Sequence, residues 1–211
     1  MRTSLLENCL FEKIRRGDNV IIEYGSSYPV EMFSWGFLVP ALVERNGITV
    51  VDFFGVGSIL FRNYVRKVSG SEYSRIIEFL KKIKVIKVGP GTVGYGEVID
   101  ERIPVYDPQT FLREYYAIVN RITRFPMKPG YLVTFGLSHY VHFGGDKAVK
   151  SLITGLTTIP MEDWVSVHLL NVDVLEPTHL AMLEEMAPVV FQLSDEGVTL
   201  KKGCDTFDPE G

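Results

Sequence analysis

Gly17–Trp35, GDNVIIEYGSSYPVEMFSW, carries the clearest structural signal in the chain. Asn19–Tyr24 is a short apolar run with β-branched residues, the composition of a buried strand. Gly25–Pro29 is a turn of small and polar residues, and Val30 opens an amphipathic helical pattern. Strand, small-residue turn and helix together make the frame on which phosphate-binding loops are built. A working loop adds glycines whose amides converge on phosphate, a Lys to neutralise charge and a Ser/Thr to hold magnesium. With Glu23 placed just before the loop, Tyr24 takes the first glycine position, Pro29 the second, Val30 that of the Lys and Glu31 that of the Ser/Thr. Starting at Gly25 puts Val30, Glu31 and Met32 in the closing triplet, and neither register supplies the Lys. Pro29 has no amide to donate, and Glu31 would repel a triphosphate. The helix N-terminus would still attract a small anion through its free amides.

Outward from this stretch, strands alternate with helices. An amphipathic helix over Ser4–Arg16 leads into the first strand, and a helix over Val30–Arg45, kinked at Pro40, leads out of it. Ile48–Phe54 reads as a strand, Gly57–Val68 and Glu72–Lys82 as helices, and Lys84–Val88 as a strand. Gly89–Pro104 is glycine-rich and then extended. Asp107 caps a helix with Pro108 at its first position, Pro126–Gly130 is a loop, and Tyr131–Phe135 is a strand. Asp146–Gly155 reads as a short helix, Val165–Leu170 as a strand and Pro177–Met186 as a helix. Two short strands, Pro188–Leu193 and Gly197–Lys201, turn at Asp195–Gly197. Most strands are apolar on both faces, which predicts an α/β fold of three layers with a mainly parallel sheet and an antiparallel C-terminal edge. Residues 1–203 form a single domain in this reading, and 204–211 a loose tail.

The order of these segments, with RRGDNVIIEYGSSYPVEMF, ITVVDFF, GYLVTFGLSH and WVSVHLLNVDVLEPTHLAMLEEMAPVVFQL, resembles the RecA/KaiC class of P-loop ATPase domains. More narrowly, it is similar to a family of hyperthermophilic archaeal proteins placed in that superfamily. The resemblance spans about Leu5–Leu193. It implies a RecA/KaiC-like sheet, with ATP and magnesium at the loop where the site is intact. It also implies an acid after the strand Tyr131–Phe135, but Gly136 stands there and the next acid is Asp146. Domains of this class commonly assemble side by side, so the resemblance implies a homodimer or higher oligomer.

Open parallel sheets place their sites at the carboxyl ends of the strands. That edge gathers the candidate pocket: Tyr24, Gly25, Ser26, Ser27, Tyr28, Pro29, Asp52, Ser138 and Asn171. Asp52 reads either as the counterpart of a catalytic acid or as a strand-end residue capping a loop. Tyr24, Tyr28, Phe33 and Trp35 crowd the same region, and those left exposed would give an aromatic mouth suited to a peptide, a small ligand or a second subunit. The expected function is a non-catalytic regulatory or protein-interaction module without a cofactor. An atypical ATP/Mg-binding protein is the alternative, with Arg15, Arg16 or Lys147 as the donor of the missing charge.

Other signals are weaker. Gly89–Gly94 matches G-x-G-x-x-G, but no helix follows, so a glycine-rich turn fits better than a dinucleotide site. His139 and His142 lack a third ligand nearby, His168 falls in a predicted strand as a core histidine, and no metal site is expected. Ser26 and Ser27 lack the glycine frame of an esterase elbow. The net charge of −4 gives no overall attraction to nucleic acid, although a local basic patch stays open. No apolar run approaches the roughly 20 residues of a membrane span. Cys9 and Cys204 read as two unrelated thiols of a cytoplasmic protein, with a disulfide between them the alternative that a reducing compartment disfavours, and only two glutamines point toward a thermophile.

Overall fold

The computed structural model describes residues 4–123, 130–158 and 164–204. The loop expected over Pro126–Gly130 falls almost wholly outside them, as does the tail beyond Cys204. Among the described residues, eight strands form one sheet: β1 (Asn19–Tyr24), β2 (Ile48–Phe53), β3 (Ile83–Val88), β4 (Glu97–Arg102), β5 (Tyr131–Phe135), β6 (Val165–Asn171), β7 (Val189–Ser194) and β8 (Gly197–Lys202). Their order is β4-β3-β2-β5-β6-β1-β7-β8. Every pairing is parallel except β7 with β8. The mainly parallel sheet with its antiparallel edge is therefore as expected.

Alternate residues of each strand enter two separate cores. Val20, Ile22, Val133, Phe135, Val167 and Phe191 face one layer. Ile21, Val51, Leu132, Leu170 and Val190 face the other. Helices α1 (4–13), α2 (30–46), α3 (Val56–Lys67) and α4 (Tyr73–Leu80) accompany the first core, and α5 (Pro108–Thr123), α6 (Leu137–Thr158) and α7 (Pro177–Met186) the second. Both faces of β1, β2, β5 and β6 are thus covered, which is why these strands read as continuous apolar runs.

Three features depart from the sequence reading. Helix α6 begins at Leu137, nine residues before the expected start, and continues across Gly145, whose φ of 54° makes a non-helical joint. The pair Gly144-Gly145 hid this continuity, and Gly144 is needed because a Cβ there would lie 2.1 Å from the Tyr106 ring. In α2 the expected kink takes the form of a π turn over Ser34–Leu38. The widened turn accommodates Pro40, which has no amide to give and whose ring would meet the carbonyl one turn back. Third, Cys9 and Cys204 form a disulfide with Cα atoms 5.8 Å apart, across 195 residues. The reading as separate thiols is corrected: α1 and the end of β8 pack side by side on the first core, and Lys13 Nζ also donates to the Cys204 carbonyl at 3.3 Å. Cys204, expected to open the loose tail, is held covalently.

Candidate functional site

The turn after β1 sits at the carboxyl edge of the sheet between α2 and the end of β6. Gly25 O accepts from Tyr28 N at 3.0 Å, closing a tight turn. Ser26 is the hub of the edge. Its amide donates to Asp173 Oδ2 at 2.6 Å, and its hydroxyl accepts from Asn171 Nδ2 at 3.1 Å. Asn171 ends β6 and caps the following 3₁₀ turn, Val172–Val174, by accepting from Asp173 N at 3.1 Å. Its own amide donates to Ser138 Oγ, 2.8 Å away at the start of α6. Ser26, Ser138 and Asn171 thus lie together at this edge, and Asp173 joins them. Sequence reasoning missed Asp173, and its one signal was an acid two residues after a strand-ending Asn.

At the positions where a phosphate loop would grip its ligand, the side chains turn to other partners. Val30 is buried in the first core. Glu31 is nearly buried and pairs with Lys67 of α3, so its carboxylate is engaged away from the turn. Tyr24, Phe33 and Trp35 are buried too, and burial raises the Tyr24 hydroxyl to about 12. Trp35 stacks on Phe135 at 5.5 Å and meets Tyr95 edge-on at 4.5 Å. The expected aromatic mouth reduces to half-buried Tyr28, beside exposed Ser26, Ser27 and Pro29, with Met32 exposed on the first turn of α2. Tyr28 also faces Asp195, whose charge adds to burial in raising the hydroxyl's pKa.

Asp52 does not join this group. It is fully buried at the end of β2 and accepts from Gly57 N at 2.8 Å, Ser58 N at 3.2 Å and Tyr95 Oη at 3.1 Å. Burial raises its pKa, against the lowering effect of these three donors. Asp52 thus caps α3 and anchors Tyr95. Tyr95 belongs to the glycine-rich stretch 89–96, which links the parallel strands β3 and β4 without a helix. Gly94 N donates to Ser58 Oγ at 2.9 Å, so the G-x-G-x-x-G segment serves as a short crossover pinned to α3.

The acid expected after β5 has no room. Gly136 has φ 75°, and a Cβ there would lie 2.5 Å from the Phe53 carbonyl oxygen. Asp146 lies 2.8 Å from His179 of α7. Arg15 and Arg16 precede β1, at the opposite edge of the sheet from the turn, and Lys147 lies near Asp107. His139 and His142 share α6, and no cluster of three metal-ligating side chains occurs among the described residues.

One buried charge cluster was not read from sequence. Glu23, on the second face of β1, is 1% exposed and receives Lys201 Nζ at 2.8 Å. Lys201 also reaches Glu184 of α7 at 2.7 Å. Burial raises the Glu23 carboxyl to about 7; Glu184 adds to the rise and Lys201 opposes it. The only signal was an acid inside an apolar strand.

Strand order and the strand-turn-helix after β1 define a RecA/KaiC-like α/β domain. The chain belongs to the family described as "Pyrococcus protein of unknown function, DUF257", whose model matches residues 9–206. No curated protein matches it in sequence. Among solved structures, it is similar to PH0250 from Pyrococcus horikoshii OT3, with 18% identity, a TM-score of 0.76 and coverage of 98% of this chain and 94% of that one. It is also similar to PH0321 from Pyrococcus horikoshii, crystallised in complex with an unknown peptide, at 12% identity and a TM-score of 0.60 over 94% and 89% of the two chains. The KaiC-like protein PH0186 from Pyrococcus horikoshii OT3 shares the fold at 16% identity and a TM-score of 0.54, over 91% and 82%. At these identities the likeness establishes the fold. No helix among the described residues is long and apolar enough to cross a membrane.

Proposed function

We propose that the protein is a non-catalytic member of the RecA/KaiC-like fold, a pseudoenzyme that acts as a regulatory or protein-interaction module and takes a peptide segment of its partner at the carboxyl edge of the sheet. The observation that carries this reading is the Ser26–Asp173 hydrogen bond, 2.6 Å long, which puts a carboxylate of the chain itself on the turn where a phosphate would sit. Glu31 held by Lys67 and Val30 buried in the core support it, since neither is placed to bind magnesium or phosphate. The same carboxylate argues against a small anion at this turn. Exposed Ser26, Ser27 and Pro29 with half-buried Tyr28 offer backbone and hydroxyl groups beside an aromatic edge, a surface suited to an extended peptide. The unknown peptide bound to PH0321, a protein of the same fold, adds support. Self-association is a second form the interaction could take, on the analogy of the fold.

Thermal melting with millimolar ATP and magnesium tests the reading, followed by binding of a random peptide library to the wild type and to Tyr28→Ala. No nucleotide stabilisation, with peptides captured by the wild type and lost in the variant, is the expected result. A clear stabilisation by ATP that disappears when residues 24–31 are altered would overturn it. Sedimentation at micromolar concentration reads the self-association directly.

A further inference from the structure

The second core contains a cavity of about 120 Å³ between the sheet and helices α5, α6 and α7. Its walls are almost wholly apolar: Ile21, Leu132 and Leu170 from the sheet, Ile118, Leu152 and Leu183 from the helices. Cavities of about 150 Å³ with such walls take up molecules the size of benzene. Two polar atoms break the pattern. Asn19 opens β1 and Trp164 immediately precedes β6, so both stand at the amino ends of the two central strands, and both line the cavity. Asn19 Oδ1 and Trp164 Nε1 are buried with no hydrogen-bond partner among the described residues, and Trp164 is 2% exposed. A buried amide oxygen and a buried indole N–H that go unmatched are each destabilising, because neither regains the hydrogen bond it made to water.

One is an acceptor and the other a donor, the two capacities that a hydroxyl combines. We propose that this cavity binds a neutral monocyclic molecule bearing one hydroxyl, of the phenol class, whose oxygen accepts from Trp164 Nε1–H and whose proton goes to Asn19 Oδ1. The lining favours an uncharged ligand. His168, bonded to Thr134 at 3.1 Å, is held neutral because burial lowers its pKa to about 4. The charged pair on the lining, Arg102 and Glu114, is matched internally at 2.8 Å. The site lies inside the second core and is independent of the turn after β1.

Calorimetric titration of the intact protein with phenol and with benzene tests this assignment. Phenol should bind saturably and at least about tenfold more tightly than benzene, equivalent to about 1.4 kcal/mol. Trp164→Phe and Asn19→Leu, each checked for unchanged melting cooperativity, should bring the phenol-to-benzene ratio toward one while leaving benzene uptake. Leu132→Phe, which fills the cavity, should abolish both. Absence of saturable phenol binding to the wild type would overturn the proposal, with ordered water satisfying the two atoms. Equal affinities for phenol and benzene in the wild type would overturn it as well.

Discussion

Glu23 and Asp52 are both acids buried at the carboxyl ends of central strands, yet they behave differently because their partners differ. Asp52 meets two helix amides and a tyrosine hydroxyl, so its charge is solvated by fixed dipoles. Asp52→Ala should cost about 2–4 kcal/mol in denaturant unfolding, since it strands three buried donors, and Asp52→Asn should cost less. Glu23 instead shares one lysine with Glu184. With a folded pKa of about 7 against an ordinary 4.5, its contribution to stability is fully present below pH 4.5 and is lost as pH rises through 7. Glu23→Gln should therefore gain stability relative to wild type as pH rises from about 5 to about 8, by as much as about 3 kcal/mol. Unfolding curves at the two pH values measure the difference, and a pH-independent effect would refute the assignment. Neither partner set could be read locally: Lys201 lies 178 residues from Glu23, and Tyr95 lies 43 from Asp52.

At the scale of elements, the turn after β1 and the β5–α6 junction show how the carboxyl edge of the sheet is held by the chain's own contacts. Asp173 ties the β6 end to the turn. Asp173→Ala should cost about 1 kcal/mol and open the Ser26 amide, so that sulfate stabilises the variant but not the wild type. Melting curves with increasing sulfate would show it. At the β5–α6 junction, Gly136 allows the ends of β5 and β2 to touch. Gly136→Ala should destabilise by at least about 2 kcal/mol, because it combines a left-handed φ with a Cβ pressed on the Phe53 carbonyl. The sequence made the missing acid visible, but the reason for its absence lies in how closely two strands approach. The glycine-rich stretch 89–96 is similar: its letters match a dinucleotide motif, while its packing on α3 makes it a crossover.

For the whole molecule, the Cys9–Cys204 disulfide closes nearly the entire chain, joining α1 to the end of the sheet's antiparallel edge. In the chain-entropy account a loop of this length stabilises by about 5 kcal/mol, so Cys9→Ser or reduction should lower the unfolding midpoint without altering nucleotide or peptide response. The expectation of two separate thiols rested on the general rule for a reducing compartment, to which the disulfide-rich intracellular proteins of hyperthermophiles are an exception; here α1 and the end of β8 pack side by side and the two cysteines pair.

The sequence by itself determined the alternation of strands and helices, the burial of the central strands on both faces, the antiparallel edge and the absence of a Lys from the turn. These are written in residue types and in periodicities confined to a few turns of chain. Only the tertiary structure decided what each polar group meets: Asp173 on Ser26, Lys67 on Glu31, Lys201 on Glu23, Cys204 on Cys9. These partners stand 36 to 195 residues apart, and the order in which strands enter the sheet brings them together. Gly17–Trp35 thus set the frame, while residues far along the chain fill it.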